Sequence, residues 1–168
     1  MADAQAPPPS RHRAKVVTVS DGVMAGTRDD RSGAALVDLL AGAGFEVVER
    51  STIPDGVAAV ASELTKACAG FAGLVVTTGG TGFGPRDHTP EGTLDVLDRQ
   101  APGMAEAMRT VSPLGRLSRA VAGTRGAALV LNVPGSPGGA VQCLQAVLDV
   151  VPHALELLAS EPTRHPHP

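Results

Sequence analysis

Four short runs rich in Val and Leu constrain this chain more than anything else in it: "AKVVTVSD" at residues 14–21, "FEVVERSTI" at 45–53, "GLVVTT" at 73–78 and "AALVLNV" at 127–133. Between them the apolar residues recur every three to four positions. Leu36, Leu39, Leu40 and Ala43 share one helical face, with Gly44 placed to end that helix. Val57, Val60, Ala61, Leu64 and Cys68 share another. A helix opens near Pro90 and runs to Leu97, a further one occupies "PGMAEAMRTVS" and stops before Pro113, and a last helical stretch from Ala140 to about Ser160 is interrupted at Pro152.

The resulting order, β-α-β-α-β-α-α-β-α, predicts a single three-layer α/β/α domain with a mostly parallel sheet. Continuous Val/Leu runs are buried on both faces, and the crossover helices supply the cover. At 168 residues the chain is about one domain long. The body spans residues 14–160. The Pro-rich stretch 1–13 and the tail 161–168 are expected to be disordered, because they offer little apolar surface to offset the entropy of ordering.

Several functions are disfavoured by composition. The net charge of −3, the 2% aromatic content and the absence of Trp and Tyr argue against a nucleic-acid partner. No apolar stretch approaches the roughly 20 residues of a membrane helix, and "MADAQAPPPSRHR" lacks the apolar core of a secretory signal. A cytoplasmic protein is expected, with Cys68 and Cys143 as buried, reduced thiols. No Cys/His spacing matches a zinc site. His88 and His153 have no assigned role.

In doubly wound folds, ligands bind beyond the carboxyl ends of the strands. The segments there are "SDGVMAGTRDDRSG", "PDG", "GGTGFGPRDHTPEG" and "PGSPGG". The third packs glycines around an Arg-Asp pair. It is not a P-loop, since no Lys followed by Ser or Thr closes it, and a dinucleotide fingerprint begun at Gly80 meets Pro85 at its third glycine position. A strand followed by Gly79, Gly80, Thr81 and Gly82 can instead turn successive backbone N–H groups into an anion-binding concavity, or simply make a tight turn.

Asp87 is placed either to hold Mg²⁺ beside substrate phosphates, or to pair with Arg86 or cap the next helix. Asp55 is a second rim acid in a turn, and Ser20 and Asp21 close the first strand. Asp30, Arg31 and Ser32 open the first long helix, where Asp30 or Ser32 suits an N-cap. Ser118, Arg119 and Arg125 are candidates to meet an anionic substrate. Pro134, Gly135 and Ser136 repeat the glycine and proline device after the last strand.

Five blocks, "TVSDGVMAG", "DRSG", "IPD", "VVTTGGTGFGPRDHTPE" with "LSRAVAGTRG" after it, and "NVPGSPGG", resemble in content and order the molybdopterin adenylyltransferases, which include the bacterial Mog and MoaB proteins and the matching domains of gephyrin and its plant counterpart. The resemblance implies molybdenum cofactor biosynthesis: AMP passes from Mg-ATP, the co-substrate, to the terminal phosphate of molybdopterin, with release of pyrophosphate, and a second protein then inserts molybdate. Asp55 and Asp87 match the family's two acids tied to activity, with Mg²⁺ on Asp87. Gly79 to Gly82 match its nucleotide-phosphate loop. A homo-oligomer is implied, a trimer or, as in some MoaB-type members, a hexamer. A non-catalytic molybdopterin-binding or scaffold protein is the alternative within the same family.

Overall fold

The computed structural model describes residues 12–160. Its sheet has six strands in the order β2-β1-β3-β6-β5-β4: β1 is Arg13–Val19, β2 Glu46–Ile53, β3 Gly73–Thr78, β4 Arg99–Gln100, β5 Ala122–Arg125 and β6 Ala128–Val133. The four strands expected from the apolar runs are parallel to one another. β5 joins β6 antiparallel through a two-residue turn, and β4 joins β5 antiparallel. These two strands were not expected from the sequence. They are short and polar, and hydrogen bonding to a neighbour, β5 to β6 and β4 to β5, templates them where no apolar run of their own would.

Among the described residues there are seven helices: α1 is Asp21–Met24, α2 Arg31–Gly42, α3 Val57–Cys68, α4 Thr89–Leu94, α5 Pro102–Arg109, α6 Pro137–Gln145 and α7 Val151–Ala159, and a 3₁₀ turn covers Pro113–Leu117. The last helical stretch is thus divided before Pro152, which occupies the first turn of α7 where its missing N–H costs nothing. Arg13 already lies in β1, so ordered structure begins inside the stretch 1–13; the remaining tail expectations concern residues outside those described.

Alternation along the strands sorts the core into two layers. Val16, Leu74, Val76, Leu129 and Leu131 pack with Leu36 and Leu40 of α2, Met108 of α5, Leu144 of α6 and Leu155 of α7. On the other face Val17, Val75 and Val130 pack with Val60, Leu64 and Cys68 of α3. β3 and β6 are buried along their whole lengths, as central strands covered on both sides must be. Leu36, Leu40 and Leu64 are all 0% exposed, and truncating any of them to Ala costs about 2–5 kcal/mol.

β1 is flanked by β2 on one side and β3 on the other, so the chain's winding direction reverses at the β1/β3 edge. That reversal leaves a crevice beyond the carboxyl ends of the two strands.

Candidate active site

A cleft of about 760 Å³ opens at this reversal point. The turn after β1 contributes Ser20, the loop after β2 Asp55, the loop after β3 Gly79 to Gly82 and Asp87, and the loop after β6 Pro134, Gly135 and Ser136. Leu114, Leu117 and Ser118, in and beside the 3₁₀ turn, form a further wall. A smaller chamber of about 140 Å³ adjoins it, sharing Leu114, Ser118, Pro134 and Ser136.

The glycine loop leaves β3 through left-handed backbone at Gly79 (φ 100°) and Gly80 (φ 66°), conformations that L side chains rarely adopt. A methyl group at Gly80 would also collide with Thr89 Oγ1 and come within 3.1 Å of Asp55 Oδ1. Two hydrogen bonds close the loop onto the start of α4: Thr89 Oγ1 donates to the Gly79 carbonyl at 2.8 Å, and the Thr89 N–H to the Gly80 carbonyl at 3.0 Å. Asp87 turns back on the loop, its Oδ2 accepting from the Gly84 N–H at 2.9 Å.

The acids on the other strands are cross-linked. Asp55 Oδ2 accepts from the Asp21 N–H at 2.8 Å, and Asp21 Oδ1 accepts from the Asp55 N–H at 3.1 Å. Arg86 clamps the pair, donating to both oxygens of Asp21 and, at 2.8 Å, to the Asp55 carbonyl. The Arg86 hydrogen bonds hold the Asp21 carboxyl below its ordinary range, and the same contacts raise the Arg86 guanidinium. Arg86 therefore pairs with Asp21, not with its neighbour Asp87.

Asp21 is thus committed to structure, and its carboxylate does not line the cleft, whereas Ser20 caps α1 through the Val23 N–H and does line it. Ser118 lines the cleft as well and accepts from the Ala120 N–H.

The two candidate substrate arginines are engaged elsewhere. Arg119 buttresses the glycine loop from outside, donating to the Gly82 carbonyl at 2.9 Å, to the Asp87 carbonyl at 2.6 Å and to Glu91. Burial pushes the Glu91 carboxyl up, but the hydrogen bond from Arg119, its own backbone N–H and the charges of Arg119 and His88 outweigh it, and the group titrates below its ordinary range. Arg125 points to the Val96 carbonyl at 2.6 Å, on β5 and away from the cleft. Neither guanidinium is among the groups lining the cleft.

Sequence inspection passed over Asn132. It is fully buried on β6, donates to Thr77 Oγ1 at 2.8 Å and Thr93 Oγ1 at 3.0 Å, and accepts from the Val121 N–H. A polar residue within "ALVLNV" was the available signal. Asp30 proves to be the N-cap of α2, accepting from the Gly33 N–H, from Thr18 and from Arg50. Cys68 and Cys143 are buried free thiols, and burial raises Cys68 to about 11.

Asp55 Oδ1 and Asp87 Oδ1 have no hydrogen-bond partner among the described residues. Oxygen donors of this kind suit Mg²⁺, which takes one or two carboxylates and completes its shell with water and phosphate oxygens. Among the described residues no group of three or more His, Cys, Asp or Glu side chains is placed to hold a metal, so substrate and water would have to supply the rest of that shell.

Fold and cleft together define a doubly wound α/β domain with a glycine-lined, carboxylate-edged ligand site at its reversal point. Residues 15–153 match the family model described as "Probable molybdopterin binding domain". The chain is 37% identical over 166 residues to the molybdopterin adenylyltransferase of Escherichia coli K12, covering 87% of this chain and 85% of that one. It is 36% identical over 150 residues to that of Helicobacter pylori J99, covering 85% of each. The solved structure of the molybdopterin biosynthesis enzyme MoaB of Thermus thermophilus superimposes with a TM-score of 0.83 at 45% identity, covering 90% of this chain and 98% of that one. The chain belongs to the MoaB/MogA molybdopterin-binding family of molybdenum cofactor biosynthesis.

Proposed function

We propose that the protein is a molybdopterin adenylyltransferase. It takes AMP from Mg-ATP and joins it to the terminal phosphate of molybdopterin, ahead of molybdate insertion by another protein. The observation that carries this is the meeting, in one cleft, of the glycine loop Gly79 to Gly82 with the unpartnered carboxylate oxygens Asp55 Oδ1 and Asp87 Oδ1. Two polyanions can be brought together only where donors and a cation offset their repulsion.

In this mechanism a phosphate oxygen of molybdopterin attacks the α-phosphorus of ATP. The bond from that phosphorus to the bridging oxygen of the β-phosphate breaks, and pyrophosphate leaves with its electron pair. No protein nucleophile intervenes, so positioning dominates. The backbone of Gly79 to Gly82 cradles phosphate, and the carboxylates of Asp87 and Asp55 would hold Mg²⁺, which would neutralise phosphate charge when bound. Ser20, Ser118 and the Pro134, Gly135 and Ser136 loop fix the substrates around that centre. Arg86 and Arg119 keep the loops at their spacing. The working unit is a homo-oligomer, a trimer or a hexamer, in the cytoplasm; among the described residues no helix is long and apolar enough to cross a membrane.

The test is to mix purified protein, fresh molybdopterin and Mg-ATP and to follow adenylylated pterin and pyrophosphate together. Stoichiometric formation of both supports the activity. Tight pterin binding with neither product would leave a binding protein.

A further inference from the structure

We propose that Arg28, Arg31 and Ser32 form a second phosphate subsite, on the wall of the cleft contributed by the segment between β1 and α2. This deepens the adenylyltransferase proposal and rests on the cleft receiving two phosphorylated substrates.

All three residues line the cleft, and among the described residues Arg28 and Arg31 are the only cationic side chains that do. Neither arginine makes a side-chain hydrogen bond or an ion pair with any described residue. Two acids lie between them: Asp29, which also lines the cleft, makes no ion pair with either arginine, and Asp30 is saturated, Oδ1 accepting from Thr18 Oγ1 and the Gly33 N–H, both at 2.9 Å, and Oδ2 from Arg50 at 2.7 Å. Asp30 is thereby neutralised by a residue of β2, and the two arginines are left unpaired.

Ser32 supplies an independent sign. It is only 7% exposed, yet its hydroxyl has no hydrogen-bond partner among the described residues, although it lines the cleft. Its oxygen keeps access to the cleft, where a ligand or water can complete it. It stands in the first turn of the 12-residue helix α2, where the dipole favours an anion.

Two arginines and a serine on one wall are a donor set suited to a phosphate or pyrophosphate group. With the glycine loop on β3 taking one phosphate, this wall takes another. The ligand group is either the ATP β/γ-phosphates or the terminal phosphate of molybdopterin.

Dissociation constants for Mg-ATP and for molybdopterin, measured separately on the full chain and on Arg28→Ala with Arg31→Ala, test the subsite. The expected result is a loss of about tenfold or more for one ligand, partial retention with Arg28→Lys and Arg31→Lys, a smaller loss with Ser32→Ala, and an unchanged melting temperature. A loss confined to Mg-ATP assigns the wall to the nucleotide, and one confined to molybdopterin assigns it to the pterin phosphate; either supports the subsite. Should the alanine variant melt early, Arg28→Gln with Arg31→Gln keeps most of the aliphatic stems and gives the same comparison. Unchanged affinity for both ligands in a natively melting variant overturns it. The two proposals fail separately: weakened binding without any wild-type product leaves the subsite standing without adenylyl transfer, and undiminished binding alongside wild-type product does the reverse.

Discussion

Arg86 and Asp21 lie 65 residues apart in sequence, and the guanidinium spans both oxygens of the carboxylate, at 3.0 and 3.2 Å. Through the same side chain the loop after β3 grips the Asp55 carbonyl after β2. One arginine thus sets the spacing between the two acids assigned to catalysis, although its own head group is exposed.

Arg86→Ala therefore separates activity from folding. An exposed ion pair contributes little to stability, so the melting temperature stays nearly unchanged, while kcat/KM for adenylyl transfer falls about tenfold or more as Asp55 and Asp87 lose their fixed separation. Thermal melting beside steady-state kinetics checks it. Arg86→Lys, a point charge without the fork, recovers only part of the rate.

Gly80→Ala is expected to damage the loop itself. The added methyl meets Thr89 Oγ1 and the backbone stays left-handed at φ 66°. Nucleotide affinity falls by about tenfold or more, with a stability loss on the order of 1–3 kcal/mol; calorimetric titration and denaturant melts measure the two.

Asn132→Leu tests the buried polar tie. It strands the Val121 N–H and the Thr77 hydroxyl that Asn132 now serves and removes the donor to Thr93 Oγ1, which keeps its own bond to the Thr89 carbonyl. A loss of about 2–4 kcal/mol is expected in urea unfolding, larger than that of an apolar swap of similar size on the same strand.

Acid stability follows from Glu91. Its folded-state titration lies below the ordinary 4.5, so the Arg119 contact contributes fully above about that pH and is lost as pH falls through the lower folded-state value. Melting temperature against pH declines more steeply below about 4.5 for the wild type than for Glu91→Gln, which cannot titrate; parallel curves would refute the assignment.

The four parallel strands and the rim were legible because burial writes itself into sequence: "GLVVTT" and "ALVLNV" are apolar enough to stand between two helix layers, and their glycine-rich exits mark where those layers part. β4 and β5 were not. "RQ" and "AGTR" carry no strand signature, and only the pairing of β5 with β6, and of β4 with β5, makes them strands. The arginines show the same limit. Arg119 and Arg125 looked like substrate ligands because their partners are backbone carbonyls at Gly82, Asp87 and Val96, which no side-chain pattern reveals. Arg31 and Ser32 read as a helix start, and their place on the cleft wall depends on how α2 docks beside β1.

The central claim is that Asp87 serves chemistry through its free oxygen, not the fold. The most direct measurement is pyrophosphate release dependent on both molybdopterin and Mg-ATP, for the wild type and Asp87→Asn in parallel. Asn keeps an oxygen to accept from the Gly84 N–H, so the variant melts like the wild type. Its turnover is expected to fall by about a hundredfold or more. Equal turnover in a natively folded Asp87→Asn protein would contradict the assignment of Asp87 to the metal and the reacting phosphate.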